Sequence, residues 1–293
     1  MKRNALDVLK SYILITPALV MVGVFLLLPM TQNIYYSFFE YDGYSEPFFI
    51  GMENYSELFT DSDFLRSLIN TFIWVFFTLC FPVFGGLLIA VFIRNLKFQN
   101  LFKSVFYLPL TISFVSTAVI WRYMYSLDLG VINTLLSTLL GRKVEIAWLT
   151  DVPLNTFSLI ISWTWQQLGT NMVLFLMGLT TIPRSPVEAA TIDGANRWQT
   201  FIHVTLPMLK PITTVVVAMA IVNSFKVFDL IYVMTNGGPY HSSETLTLTM
   251  FKKAFVLSRM GYGSAVSIVL SLFVIGFTGI YILISRKKDQ LHY

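Results

Sequence analysis

Between residues 154 and 182 the chain carries Trp163, Gln166, Gln167 and Thr170 at i, i+3, i+4 and i+7, which sets one aromatic ring and three polar groups along a single helical face. An aromatic ring stacks on the apolar face of a sugar, and amides supply both donors and acceptors for its hydroxyls. The same amides, placed in lipid, also serve as hydrogen-bonding glue between helices, so two readings of this face stand side by side. A second polar cluster, Asn223, Ser224, Lys226 and Asp229, lies in another apolar stretch. Lys226 and Asp229 are one turn apart, so they either neutralise each other or meet a solute. Nothing in the chain suggests covalent chemistry. His203, His241 and His292 form no constellation with one another or with acids, and Cys80 is the sole cysteine, so neither a metal site nor a disulfide is expected. No Gly-x-x-x-x-Gly-Lys-Ser/Thr loop occurs, so no nucleotide cofactor is expected on this chain and it does not read as an enzyme.

Composition sets the medium in which these groups work. The 293 residues are 55% hydrophobic and only 12% charged, with a mean hydropathy of +0.68. A soluble domain carries about 25% charge, so the chain reads as a membrane protein. A hydrocarbon core about 30 Å thick needs roughly 20 apolar residues per helix, and six stretches of that order occur: Tyr12 to Thr31, Ser67 to Ile93, Ser104 to about Tyr125, about Leu154 to Ile182, about Pro211 to Met234, and Met260 to Ser285. The expected fold is therefore all-α, a single bundle of six transmembrane helices over residues 1–293 with its core at about 67–285. The net charge of +4 is scattered at the ends of apolar runs rather than gathered in a patch, which argues against nucleic acid and for topology signals. With both termini in the cytoplasm, the inner segments hold Lys2, Arg3, Lys10, Arg94, Lys97, Lys103, Arg184, Arg197, Lys210, Arg286, Lys287 and Lys288; the outer loops hold Arg66, Arg142, Lys143, Lys252, Lys253 and Arg259. That is the bias expected of a multi-pass protein. The first stretch is too long for a signal-peptide core and no small-x-small site follows Pro29, so it is expected to remain as an anchor. Pro17, Pro29, Pro82, Gly85, Gly86 and Pro109 interrupt the spans, either as simple kinks or as sites of close helix packing.

The inner loop at about 183–207 has its own grammar. Ser185 with Glu188 three residues on forms a capping-box pattern, and Pro186 suits a first helical position, so a helix is predicted to start there. Gly194 fits its end, where a left-handed residue is needed. Trp198, Phe201 and Ile202 then recur at helical spacing, and Pro207 is expected to stop the second helix before the fifth span. Such a pair of short helices could lie at the lipid interface. The small residues Ala189, Ala190, Asp193, Gly194 and Ala195 favour a docking knob that another protein's surface approaches closely.

These residues resemble a known family. Glu188-Ala189-Ala190, Asp193-Gly194-Ala195, Phe201, Leu206-Pro207 and Pro211 look like the EAA loop of binding-protein-dependent ABC importer permeases. The likeness extends to carbohydrate-type permeases, the group with the maltose and glycerol-phosphate subunits, through Phe49, Gly51, Asn54-Tyr55, Leu58-Phe59, Asn70-Thr71, Trp121, Gly130, Asn133, Phe228-Asp229, Ile231 to Thr235, Gly237-Gly238-Pro239, Thr245 and Leu246. Lys103 stands where the family often has arginine, and no large outer domain like that of the maltose channel subunit is seen. The resemblance implies a channel-forming permease in a bacterial cell membrane. Its partners would be a second permease of similar size forming a heterodimer, two ATPase subunits that bind the ATP-Mg, an external solute-binding protein and a carbohydrate substrate. Glu188, Ala189, Ala190, Asp193, Gly194, Ala195, Arg197, Trp198, Phe201 and Pro207 would couple the chain to the ATPase. An ion-coupled secondary transporter is the alternative; it would be expected to show internal repeats and an acidic or histidine proton relay, whereas Asp229 is the sole acid within a span.

Overall fold

Long apolar runs satisfy their backbone groups internally as helices, and the described residues are mostly helical. The computed structural model describes residues 5–94 and 96–289; Lys2, Arg3 and His292 lie outside the described residues, as do the side chains of Lys10, Arg286, Lys287 and Lys288. Two compact units are present, one running up to Asp61 and including Thr249–Ser271, the other comprising Ser62–Leu248 and the chain from Leu272 on.

In the first unit, α1 (Ala5–Val22), a π turn at Gly23–Leu27 and α2 (Leu28–Tyr36) follow one another without a break. Pro17 and Pro29 are both kept within this run. Proline has no N–H to donate and its ring crowds the carbonyl four residues back; the widened turn just before Pro29 relieves both problems. A short hairpin, β1 (Phe39–Glu40) and β2 (Phe48–Phe49), pairs Phe39 with Phe49. In its loop the Asp42 carboxylate accepts from the N–H groups of Ser45 and Tyr44 and from the Ser45 hydroxyl, which holds its pKa down at about 2. The short helix α3 (Glu53–Leu58) is tied to the hairpin by the buried Asn54, whose amide donates to the carbonyls of Ser37 and Phe39. Asp61 accepts from Lys253 Nζ and from the Tyr262 hydroxyl, each at 2.7 Å, and Arg259 grips Glu57 with two hydrogen bonds.

The second unit holds α4 (Ser62–Ile93), α5 (Gln99–Tyr107), a 3₁₀ turn at Leu108–Thr111, α6 (Phe114–Met124), α7 (Val131–Leu140), α8 (Leu154–Thr181), α9 (Arg184–Ile192) and α10 (Arg197–Thr200). A π turn at Phe201–Thr205 leads into α11 (Leu206–Met208), α12 (Lys210–Phe225) and α13 (Asp229–Met234); α14 (Leu246–Phe251), a further π turn at Lys252–Val256 and α15 (Met260–Asp289) complete the chain. Helix α8 is the central element, and glycines let its neighbours close on it. A Cβ on Gly86 of α4 would lie 2.6 Å from Asn171 Cβ, one on Gly169 would meet the Phe106 carbonyl, and one on Gly178 would lie 2.5 Å from Ile212 of α12. In lipid there is no hydrophobic gain from bringing apolar helices together, so close packing and interhelical hydrogen bonds must hold them. Such bonds run from Thr78 to Ser224 Oγ (2.6 Å), from Gln166 to the Ile112 carbonyl (2.7 Å), and from the fully buried Asn155 to the Gly238 carbonyl (2.9 Å) and Ser242 Oγ (2.7 Å).

Among the described residues three helical stretches are long and apolar enough to cross a membrane, Tyr12–Tyr36, Ser62–Ile93 and Met260–Ser285, and two bent pairs bring the number to as many as five. The third expected span is one of those pairs, broken by 100° between Thr111 and Phe114. The fifth is a correction too: its helix is interrupted at Lys226, Val227 and Phe228, and a 69° bend precedes Lys210. Helix α8 matches the fourth expected span at 28 residues but is not among the apolar stretches. Its serines, glutamines and asparagines lower its hydropathy, and they are tolerated because neighbouring helices bury them.

Candidate functional site

The two polar clusters read from sequence meet in the second unit. Trp163, Gln167 and Thr170 of α8 and Asn223 and Ser224 of α12 line one cavity with Thr78 and Pro82 of α4, Asn171 and Met219. The cavity measures about 20 Å³, room for about one water molecule. Trp163 is buried, edge-on to Trp74 and stacked on Phe114, with ring centroids 4.8 Å apart and planes 13° from parallel. Thr170 Oγ1 is buried and unpartnered. Ser224 accepts from Thr78 and donates to the Ala220 carbonyl.

Gln166, Lys226 and Asp229 do not line this cavity. Gln166 is only 2% exposed, and its amide N–H donates to Ile112 at the break between the 3₁₀ turn and α6, which is the glue role. Its Oε1 has no partner. Lys226 and Asp229 are exposed at the α12–α13 interruption, and no ion pair joins them among the described residues. Sequence reasoning missed Thr78, Asn171 and Phe114. The first two carried a signal: Thr78 is a polar residue in an apolar span, and Asn171 is eight residues from Trp163. For Phe114 no signal existed.

The 184–208 loop is a helix, a turn and a second helix, with two departures from expectation. The first helix starts at Arg184 after Pro183 without a side-chain cap, so the Ser185/Glu188 capping box is not formed. Pro183 already takes the extended conformation of an N-cap, which moves the start upstream of Ser185. The second helix carries the capping box instead, Asn196 with Gln199. Pro207 does not end it. As at Pro29, a π turn comes just before the proline, and the helix continues to Met208 before bending at Leu209. Gly194 has φ +83°; Gly194 N–H bonds to Thr191 and Ala195 N–H to Ala190, which closes the helix end in a Schellman motif. Glu188, Ala189, Asp193, Gly194, Arg197 and Trp198 are exposed, Ala190, Ala195 and Phe201 half-buried. Ile192 and Trp198 present bare apolar surface at 85% and 68% exposure. Beneath the loop, Ile182 and Leu209 are buried with Phe175, Leu179 and Val216, and Val187 packs on that core.

Residues 59–290 match the family model for the binding-protein-dependent transport system inner membrane component. The chain belongs to that family. Among its relatives are a probable ABC transporter permease protein of Bacillus subtilis, 34% identical over 271 residues (91% of this chain, 92% of that one), and the alpha-glucoside transport system permease protein of Rhizobium meliloti, 32% identical over 274 residues (91% and 80%). The fold is that of a chain in a bacterial alginate ABC transporter solved with an alginate pentasaccharide-bound periplasmic protein (TM-score 0.84, 23% identity, 94% of each chain). The chain is thus a membrane-embedded permease subunit of an ABC importer, and the reading as an ion-coupled carrier gives way to that membership.

Proposed function

We propose that this inner membrane component forms the channel through which an ATP-driven importer passes a sugar or sugar derivative into a bacterial cell. The observation that carries the sugar reading is the convergence of Trp163, Gln167, Thr170, Asn223 and Ser224 on one cavity. The alpha-glucoside permease among the relatives supports the same substrate class. A cavity of about 20 Å³ does not admit a sugar ring, so transport requires α8 and α12 to part and Phe114 to leave the face of Trp163.

The loop supplies the means. It joins the end of α8 directly to the start of α12, the two helices that carry most of the cavity's polar groups, and Leu209 and Ile182 root it in their shared core. A displacement of the loop is therefore transmitted to both helices, with the Gly178–Ile212 contact as the pivot between loop and cavity. Glu188, Ala189, Ala190, Asp193, Gly194, Ala195, Arg197, Trp198, Phe201 and Pro207 form or shape the surface on which an ATPase docks, with Ile192 and Trp198 as its apolar contacts. In this reading the chain is a single transmembrane domain of six spans with both termini in the cytoplasm. Helix α8 is the fourth span, shielded from lipid by its neighbours, and Lys226 and Asp229 face the solute outside the closed cavity. The assembly pairs the chain with a second permease of similar size, two ATPase subunits that hold the ATP-Mg, and an external binding protein that delivers the sugar.

The test is uptake of labelled saccharides by proteoliposomes holding the complete transporter and its binding protein. Trp163→Ala and Asn223→Ala should each lower uptake at least tenfold while the assembly still purifies intact. Uptake unchanged in both variants would remove the cavity from the pathway.

A further inference from the structure

We propose that the permease holds one anionic phospholipid, its headgroup at Arg122 and an acyl chain in a groove between α4 and α8. Two hollows of the second unit carry this. The first, of about 720 Å³, lies where α6 ends and is walled by Val119, Tyr123, Tyr125 and Trp148; Arg122 is the one charged residue in its lining. Arg122 is exposed, and no ion pair among the described residues engages it. The second is an apolar groove of about 610 Å³ lined by Phe81, Leu88, Phe92, Trp121, Ile161 and Leu168.

Aromatic rings link the two. Trp121 stands in the groove and its ring meets Tyr125 of the cavity at 5.2 Å, and Tyr125 in turn meets Trp148 at 5.7 Å. The groove lies along α4, one of the helices apolar enough to cross a membrane, so lipid is the solvent at its mouth. Gly85 lets Leu168 of α8 close on α4 at the groove: a Cβ there would lie 2.7 Å from Leu168 Cδ2. A lone guanidinium at a membrane-embedded helix end calls for an anion, and a phosphodiester offers two oxygens to its planar fork. Tyrosine and tryptophan rings suit the headgroup level, and an aliphatic chain suits the groove. Neither hollow belongs to the polar cavity or the loop, so the proposal is independent of the sugar reading.

Native mass spectrometry of the purified transporter from nanodiscs of mixed phosphatidylglycerol and phosphatidylcholine tests this. The wild type should retain phosphatidylglycerol in preference to phosphatidylcholine. Arg122→Gln should reduce that preference about fivefold, the worth of one basic residue at an anionic surface, and Arg122→Lys should keep most of it. Ile161→Trp, which fills the groove without touching charge, should lower retention of both lipids. Arg122→Gln retaining phosphatidylglycerol like the wild type would overturn the proposal. So would release of the lipid by inorganic phosphate alone, which would mark a free-anion site, or a cross-link from Ile161 to a partner subunit's helix, which would mean protein fills the groove.

Discussion

Thr170→Val makes opposite demands on stability and transport. The Thr170 hydroxyl is buried beside the cavity with no hydrogen-bond partner. A buried polar group left unsatisfied costs about 1–3 kcal/mol. Valine has nearly the same shape, so the substitution removes that cost and leaves the packing around Trp163 and Asn171 in place. The variant should be more stable by about 1 kcal/mol, a rise in melting temperature of roughly 2–4 °C. If the hydroxyl is kept idle in the closed state because it meets a sugar hydroxyl in the open one, its loss forfeits about 0.5–1.5 kcal/mol of solute binding. Uptake at limiting sugar should then fall roughly two- to tenfold. Differential scanning fluorimetry of the purified transporter and initial-rate uptake in proteoliposomes read the two effects. A variant that loses stability would show that the hydroxyl has a partner, and one that gains stability with undiminished uptake would refute its role in passage.

Substitutions at five other positions probe the fold and the loop. Gly194→Val forces a β-branched residue to φ +83°, at a cost of about 1–3 kcal/mol borne by the loop alone, since no atom lies within 4 Å of the added Cβ. Uptake should drop tenfold or more while ATPase activity persists, and Gly194→Asn should recover most of it. Gly86→Ala drives a methyl against Asn171 and the Met172 backbone and should cost about 1–3 kcal/mol in thermal stability. Asn155→Ala removes the bonds from a fully buried amide to the Gly238 carbonyl, which keeps its bond from Ser243 Oγ, and to Ser242 Oγ, and should cost about 0.5–1.5 kcal/mol, read as an earlier melting transition. In the first unit, Lys253→Met breaks a pair that is 13% and 11% exposed and should cost about 3 kcal/mol; Arg259→Met breaks one that is 43% and 39% exposed and should cost less than about 1 kcal/mol.

What could be read in advance was what periodicity and chain breakers encode. The helix end at Ile93, the start at Met260 and the left-handed Gly194 were visible in residue types, and the expected end at Ile182 falls one residue past the helix end at Thr181. The interruption at Lys226–Phe228 was not, because no proline or glycine marks it; tertiary context holds the backbone open there. Pro109 was visible only as a kink, whereas the 100° break falls beyond it, at Ile112 and Ser113, where Ser113 caps α6. Pro207 misled because a stop is its ordinary effect, and a π turn that absorbs it leaves no mark in composition. On the α8 face, successive residues step by about 100°, so Gln166 and Gln167 point well apart although both fit the same spacing. Gln167 turned to the cavity and Gln166 to Ile112, a choice set by the neighbouring helices.

The central claim is that the 184–208 loop grips a cytoplasmic motor. A photo-activatable residue at position 198, in place of the exposed Trp198, would report its contacts in intact cells. The account predicts a covalent adduct with an ATPase subunit whose yield changes when ATP is depleted. Adducts with lipid or with an external protein, and none with an ATPase, would contradict it.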